Sequence, residues 1–326
     1  MMPLSVKYRL FRKSLQAIKT PRFASLFLTR RCNLTCAYCK SREQTFPDMD
    51  LSQWKAVIDK LHGFGVCHFT LTGGEPLLRS DLFEIIRYIT QEKKSLCWMI
   101  SNFKNMTPDV IKKLAASGLD FVSSSLDTLD VTRNKGGAAV FDALAIAQQE
   151  GIVASILAVV TRENVKEIPA LVDKAIGCGI LFDMALYQHV GGLFSFSDTG
   201  PKVADPTVLR QLSRFLLQKK WRSGRIAPSR SFLKAIPDGY LPYTWKCSKE
   251  RDLFLVVNND GRLMPCQEWV TDIKVTDLAA LKDPTWRLAK QEVVEKCPGC
   301  FYGCYFQKEN ITPLDALLDG WGLVRL

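Results

Sequence analysis

Six short apolar runs punctuate the chain, at 24–29, 67–72, 96–101, 120–126, 152–160 and 180–187. Between and after them, apolar residues recur every three or four positions, at about 52–62, 81–91, 108–116, 139–149, 165–176 and 205–219. A short continuous apolar run reads as a buried strand, and the three-and-four spacing reads as a helix with one apolar face. Ser52, Asp81 and Thr107-Pro108 stand where helix N-caps are expected. Six β–α units predict a parallel sheet with helices outside it. A curved six-unit sheet is an incomplete version of the eightfold barrel, whose chemistry lies at the carboxyl ends of its strands.

The flanks follow different patterns. Leu4, Tyr8, Phe11, Leu15 and Ile18 fall on one helical face, and Pro21 ends the pattern. Residues 188–204 read as a long loop after the sixth strand, at the rim where such loops contact substrate. Composition shifts again near Pro237-Asp-Gly-Tyr-Leu-Pro242. Three units are expected: a basic amphipathic helix over 1–23, a barrel over 24–236 and a smaller domain over 237–326. Within the last, Phe254 to Asn258 followed by Asn259-Asp260-Gly261 predicts a hairpin with an Asp-Gly turn.

Composition narrows the class. With 47% hydrophobic and 24% charged residues the chain is an ordinary globular protein. No apolar run approaches the ~20 residues needed to span a bilayer, and the first 22 residues lack the apolar core of a signal peptide. Eleven cysteines without such a signal point to a reducing cytoplasm and to metal ligation rather than disulfides.

The net charge of +11 is uneven. Ten basic residues, from Lys7 to Arg42, precede the first acid, Glu43; the rest of the chain is nearly balanced. The basic segment suits an interfacial helix on an anionic membrane, or a helix closing the barrel with a solvated basic face. It carries no aromatic interleaving or DNA-binding motif. A non-catalytic, metal-bearing nucleic-acid-binding module is therefore the alternative from another class.

Candidate chemistry begins at Cys32-Asn33-Leu34-Thr35-Cys36-Ala37-Tyr38-Cys39, directly after the first apolar run. Thiolates suit Fe–S clusters or zinc. Three thiolates in a tight loop can hold three irons of a [4Fe–4S] cube and leave the fourth iron open, whereas zinc usually wants a fourth nearby ligand. A second constellation comprises Cys247, Cys266, Cys297, Cys300 and Cys304. The hairpin would bring Cys247 and Cys266 together; zinc is the rival there too. Cys67, Cys97 and Cys178 lie in or beside apolar runs and read as buried small hydrophobes. His62 and His68 read as structural. His189, beside Tyr187 at the end of the sixth run, is an acid–base candidate.

The C-x3-C-x2-C spacing resembles the signature of the radical SAM superfamily. So do the segments that follow: Thr72-Gly73-Gly74-Glu75-Pro76 after the second run, Ser101-Asn102 after the third, and Ser125-Leu126-Asp127 at the fourth, the last similar to the molybdenum-cofactor cyclase branch. The resemblance implies that Cys32, Cys36 and Cys39 bind a [4Fe–4S] cluster whose open iron chelates S-adenosyl-L-methionine. It implies that Gly73, Gly74, Glu75 and Pro76 receive the methionyl amino group. Ser101, Asn102 and Ser125 would contact the rest of the nucleotide, and Tyr38 would pack near the adenine. No side chain is assigned a catalytic role.

The C-terminal cysteines resemble the auxiliary-cluster region of the SPASM and twitch subfamilies, in the shorter form with one auxiliary [4Fe–4S] cluster. Four of the five would ligate it. The implied fold is a partial (β/α)6 TIM barrel with a small C-terminal α+β auxiliary-cluster domain. The implied activity is reductive cleavage to a 5′-deoxyadenosyl radical that oxidises, cyclises or otherwise modifies a substrate. An external flavodoxin- or ferredoxin-type donor would supply the electron. The 23 residues ahead of the barrel leave no space for a winged-helix peptide-binding segment. That favours a small molecule, lipid or tetrapyrrole over the alternative, a peptide maturase.

Overall fold

The computed structural model describes Tyr8 and residues 22–192, 200–242, 244–310 and 312. The expected helix over 4–18, Tyr8 apart, and residues 193–199 of the long loop lie outside the described residues.

The six apolar runs are strands: β1 (Arg22–Thr29), β2 (Val66–Gly73), β3 (Leu96–Ser101), β4 (Phe121–Ser125), β5 (Val153–Val160) and β6 (Leu181–Leu186). Helices follow them: α1 (Leu51–Gly63), α2 (Leu82–Arg87), α3 (Pro108–Ala116), α4 (Val140–Gln149), α5 (Ile168–Gly177) and α6 (Pro206–Ser223). Every neighbouring pair from β1 to β6 is parallel. The even residues of β1 and the odd residues of β2 (Ala24, Leu26, Leu28, Phe69, Leu71) join the helices in the main core. Strand alternation turns Phe23, Phe27, His68, Thr70 and Thr72 toward the lumen.

Two N-caps differ from expectation. α1 is capped by Asp50, not Ser52: Asp50 accepts from the Gln53 amide at 2.9 Å, Gln53 returns the bond, and the Ser52 hydroxyl donates to Asp50. This is a capping box written with Asp and Gln. Asp81 makes no capping bond; its carboxylate holds Arg79 at 2.6 and 2.8 Å. Thr107 caps α3 as expected, accepting from Val110. Cys178, expected to be buried, is exposed at the end of α5, whereas Cys67 and Cys97 are buried.

The C-terminal part does not form a separate sheet. After α7 (Arg230–Gly239), which runs through the expected boundary, β7 (Phe254–Val257) pairs parallel with β1, from Phe23↔Phe254 to Leu26↔Val257. β8 (Leu263–Met264) then pairs antiparallel with β7. The predicted hairpin is present, with Gly261 at φ +86 in its turn. The sheet order is β6-β5-β4-β3-β2-β1-β7-β8. α8 (Pro284–Lys296) and α9 (Gly303–Asn310) complete the described chain. Among the described residues no helix is long and apolar enough to cross a membrane.

Candidate functional site

The Cys32–Cys39 loop leaves the carboxyl end of β1 and is fastened at its root. The Gly74 amide donates to the Thr29 carbonyl at 2.7 Å, and the Glu75 amide to the Arg31 carbonyl at 2.8 Å. Both glycines are forced by that approach. A Cβ on Gly73, which has φ +128, would lie 2.3 Å from the Thr29 oxygen, and one on Gly74 would lie 1.9 Å from the Arg31 oxygen. The paired glycines therefore serve the loop's own backbone. Arg79 reinforces the root, donating to the carbonyls of Leu28 (3.0 Å) and Met49 (2.9 Å). Asp48 accepts from Thr29 at 2.7 Å, from Arg31 at 3.2 Å and from Asn259 at 2.8 Å, tying loop to hairpin.

Glu75 is 1% exposed and clasps β2 to β3. It accepts from the Leu77 amide (3.1 Å), the Ser101 hydroxyl (2.9 Å) and the Asn102 amide (2.8 Å). Burial pushes its carboxyl above the ordinary value, and those three bonds pull it back. Pro76 opens the short turn behind it. The Ser101 hydroxyl also accepts from the Phe103 amide at 3.1 Å, so both its capacities are used within the protein. Asn102 reaches the cysteine loop: its amide donates to Asn33 at 2.7 Å and approaches the Cys32 sulfur at 3.8 Å. Phe103 holds φ +63, costly for an aromatic residue.

Tyr38 is tethered across the rim. Its hydroxyl donates to Asp127 at 2.6 Å, Lys135 donates to the Tyr38 oxygen, and Lys135 pairs with Asp127 at 2.8 Å. The Lys135 ammonium also lies 4.9 Å from the Tyr38 ring centre. Asp127 is anchored in turn by the Val159 amide at 2.8 Å. Burial first, then Asp127, raises the Tyr38 phenol well above its ordinary value. Burial also raises Cys36 and Cys39; Lys135 opposes this at both, and Arg30 at Cys39. These cations offset thiolate charge. Ser125 ends β4 on the lumen side, partly exposed. Arg133 pairs at the surface with Asp130 and Glu167, 2.7 Å each.

The C-terminal thiols gather beside β7 and β8. Cys247, Cys266 and Cys304 pack on a cluster of Phe27, Val256, Met264 and Tyr305. Burial is the largest cause of a raised thiol at Cys247 and Cys266, and pushes Cys300 and Cys304 to about 12. Cys300 raises each of the thiols of Cys247, Cys266 and Cys304 further, and Cys297 raises that of Cys300. Cys297 caps α8, partly exposed, and accepts from the Gly299 amide at 3.4 Å.

Sequence reasoning missed the framework that carries these groups. Arg30, 2% exposed, bonds Asn258 at 3.0 Å and lies 4.7 Å from the Phe27 ring centre, joining cysteine loop to hairpin. The Gln188 side chain accepts from the Phe301 amide, joining the β6 loop to the second thiol segment. Tyr187 is buried with its ring 6.5 Å from that of Tyr38, and its carbonyl accepts from Tyr240. Inside the barrel, His68 stacks with Trp98 (5.9 Å) and Phe121 (6.4 Å), and Trp98 donates to Ser123 at 2.7 Å. Lys308 of α9 places its ammonium 3.4 Å from the Phe23 ring centre and faces His68 and Asp183. Burial moves His68 down to about 3, Lys308 down to about 8 and Asp183 up to about 6. None of these carries a recognisable motif; alternation along β2 and β6 is the signal that would place His68 and Asp183 in the lumen.

Both thiol groups fit iron–sulfur ligation by their chemistry. Backbone amides two residues on donate to sulfur at Cys39, Cys266, Cys297 and Cys300, the bonds that stabilise thiolates on a cluster. Among the described residues no three Cys, His, Asp or Glu side chains converge to hold a single ion. A cube takes one thiolate per iron, so its ligands stand apart, whereas zinc needs all of them at one point.

Residues 26–175 match the family model for the radical SAM superfamily. The chain is 34% identical over 155 residues to Fe-coproporphyrin III synthase of Methanosarcina barkeri, covering 45% of this chain and 39% of that protein. It is 26% identical over 258 residues to PqqA peptide cyclase of a Methylobacterium species, covering 73% and 65%. It thus spans less than two thirds of either curated relative. Among solved structures, Streptococcus suis SuiB bound to S-adenosylmethionine superposes with a TM-score of 0.65 at 18% identity, covering 86% of this chain and 71% of that one. At that identity the likeness is one of fold.

Proposed function

We propose, from the premise that the chain carries a radical SAM domain, that it is an enzyme. It binds S-adenosyl-L-methionine at Cys32, Cys36 and Cys39 and modifies a substrate beneath an auxiliary [4Fe–4S] cluster. The observation that carries this reading is the clasp of Gly73-Gly74-Glu75 against the cysteine loop, with Asn102 reaching Cys32 from the third strand. Three strand ends thereby place a thiol loop, a glycine-backed amide surface and an amide side chain at one mouth of the barrel, where parallel α/β folds bind ligands. When bound, the first cluster and its nucleotide supply a 5′-deoxyadenosyl radical through one-electron reduction by a flavodoxin- or ferredoxin-type donor.

The chain's own residues do the rest. Asn102 and the backbone at Gly73 to Pro76 orient the methionyl end, with Glu75 holding that backbone in place. Ser101 fixes the turn into Asn102, Ser125 faces the nucleotide from β4, and the Tyr38–Asp127–Lys135 set closes its side. Cys247, Cys266, Cys300 and Cys304 hold the auxiliary cluster: Cys300 acts on each of the other three, while Cys297 acts on Cys300 and caps α8. Residues 24–236 make the nucleotide-binding unit and 237–326 the auxiliary unit, stitched through β1 and β7.

Within the small-molecule, lipid and tetrapyrrole classes, the Fe-coproporphyrin III synthase match favours a tetrapyrrole. The longer PqqA peptide cyclase match supports a second reading, a peptide maturase.

The test is anaerobic reconstitution followed by dithionite reduction. Release of 5′-deoxyadenosine, lost in C32A, is expected; release of none ends the enzyme reading and leaves the nucleic-acid-binding alternative standing. Mass shifts on added coproporphyrin or precursor peptides then separate the two substrate classes.

A further inference from the structure

Two tyrosines of the C-terminal segment face the second thiol group, and they differ. Tyr302 donates its hydroxyl to the buried carboxylate of Glu268. Tyr305 is 4% exposed, its ring edge-on to Phe254 at 5.0 Å and 78°. Its oxygen is buried with no hydrogen-bond partner among the described residues. Cys247, Cys266 and Cys304 pack on the cluster it forms with Phe27, Val256 and Met264, and Cys266, Cys304, Cys247 and Cys300 are the groups its oxygen faces electrostatically. Native interiors keep few unsatisfied hydroxyls, because each forfeits its bonds to water. A thiol is a weak acceptor; a cluster sulfur carrying negative charge is a strong one.

We propose that the Tyr305 hydroxyl donates a hydrogen bond to sulfur of the auxiliary cluster and thereby sets its reduction potential, a positioning role resting on the auxiliary-cluster reading above. Such a bond is stronger in the more negative, reduced state, so it raises the midpoint potential. Ring packing against Phe254 holds the donor in place and survives substitution by Phe.

The experiment uses full-length protein carrying C32A/C36A/C39A, so that only the C-terminal cluster contributes, reconstituted anaerobically with and without Y305F. Iron content and an EPR-monitored redox titration are measured together. Expected are equal iron content and a more negative midpoint in Y305F. Equal iron with an unmoved midpoint overturns the Tyr305 role and leaves the cluster reading intact. No iron in the protein that retains Tyr305 overturns both. If only Y305F fails to load, incorporation of 3,5-difluorotyrosine at 305 decides: it keeps the ring and strengthens the donor. A positive shift upholds the proposal; an unmoved midpoint ends it.

Discussion

Gly74 lies so close to Arg31 that a Cβ on the glycine would sit 1.9 Å from the Arg31 carbonyl oxygen. Nothing there is a flexible side-chain end; the Arg30 oxygen follows at 2.8 Å. The G74A variant must therefore push the cysteine loop off β2, at a cost of about 1–3 kcal/mol. Because the displaced backbone leads straight into Cys32, the loss should be local. Reconstituted G74A is expected to retain about half the wild-type iron, about four of eight atoms per chain, and to release no 5′-deoxyadenosine. Full iron loading in G74A would show that the loop does not need this clasp.

Within the second thiol group, Cys300 acts on Cys247, Cys266 and Cys304, whereas Cys297 ends α8 as its cap. C300A and C247A should each reduce iron to about four atoms per chain, whereas C297A should keep about eight. Iron analysis and the cluster's visible absorption check this directly. Retention of eight irons in C300A with loss in C297A would reverse the assignment of the fourth ligand.

Most of the barrel was legible because its strands are buried on both sides and spell continuous apolar runs. β3 over 96–101 and α3 over 108–116 fall where the pattern put them. The thiol loop and the glycine pair were legible because few backbones tolerate such spacing. Three things were not. The pairing of β7 with β1 joins residues more than 200 positions apart, and an apolar run does not say which edge it will meet. Asp50 rather than Ser52 caps α1 because the cap depends on a reciprocal bond from Gln53, beyond a single-residue rule. Lys135, Arg30 and Lys308 act through long-range contacts, and a lone basic residue in sequence reads as surface.

Lys135 illustrates the last point. Its pair with Asp127 leaves the two side chains only 12% and 17% exposed. Removing one partner of such a pair strands the other's charge, so K135M should destabilise by about 2–3 kcal/mol. D127N keeps an acceptor for the Val159 amide. The double variant D127N/K135M should therefore recover part of the loss, with a coupling of about 1–3 kcal/mol. Denaturant unfolding of the four proteins closes the cycle; strictly additive losses would mean that the two charges do not act as a pair.

Asp183 sets a pH dependence of definite sign. Burial raises its carboxyl from 3.8 to about 6, against the Met184 amide, Lys308 and Lys220. An acid whose folded pKa exceeds its unfolded value holds its proton longer in the folded state. Stability from this group is therefore highest below about pH 4, falls as pH rises through 6, and stays low above. His68 acts oppositely: lowered from 6.5 to about 3, it costs stability as pH falls. Total stability thus blends two opposing slopes, and only a difference measurement isolates Asp183. D183N cannot ionise, so its stability relative to wild type should rise by about 1 kcal/mol between pH 5 and pH 7. Paired urea melts at those two pH values measure the difference. A constant gap would mean that Asp183 titrates at its ordinary value, with water or a closer approach of Lys308 satisfying its charge inside the barrel.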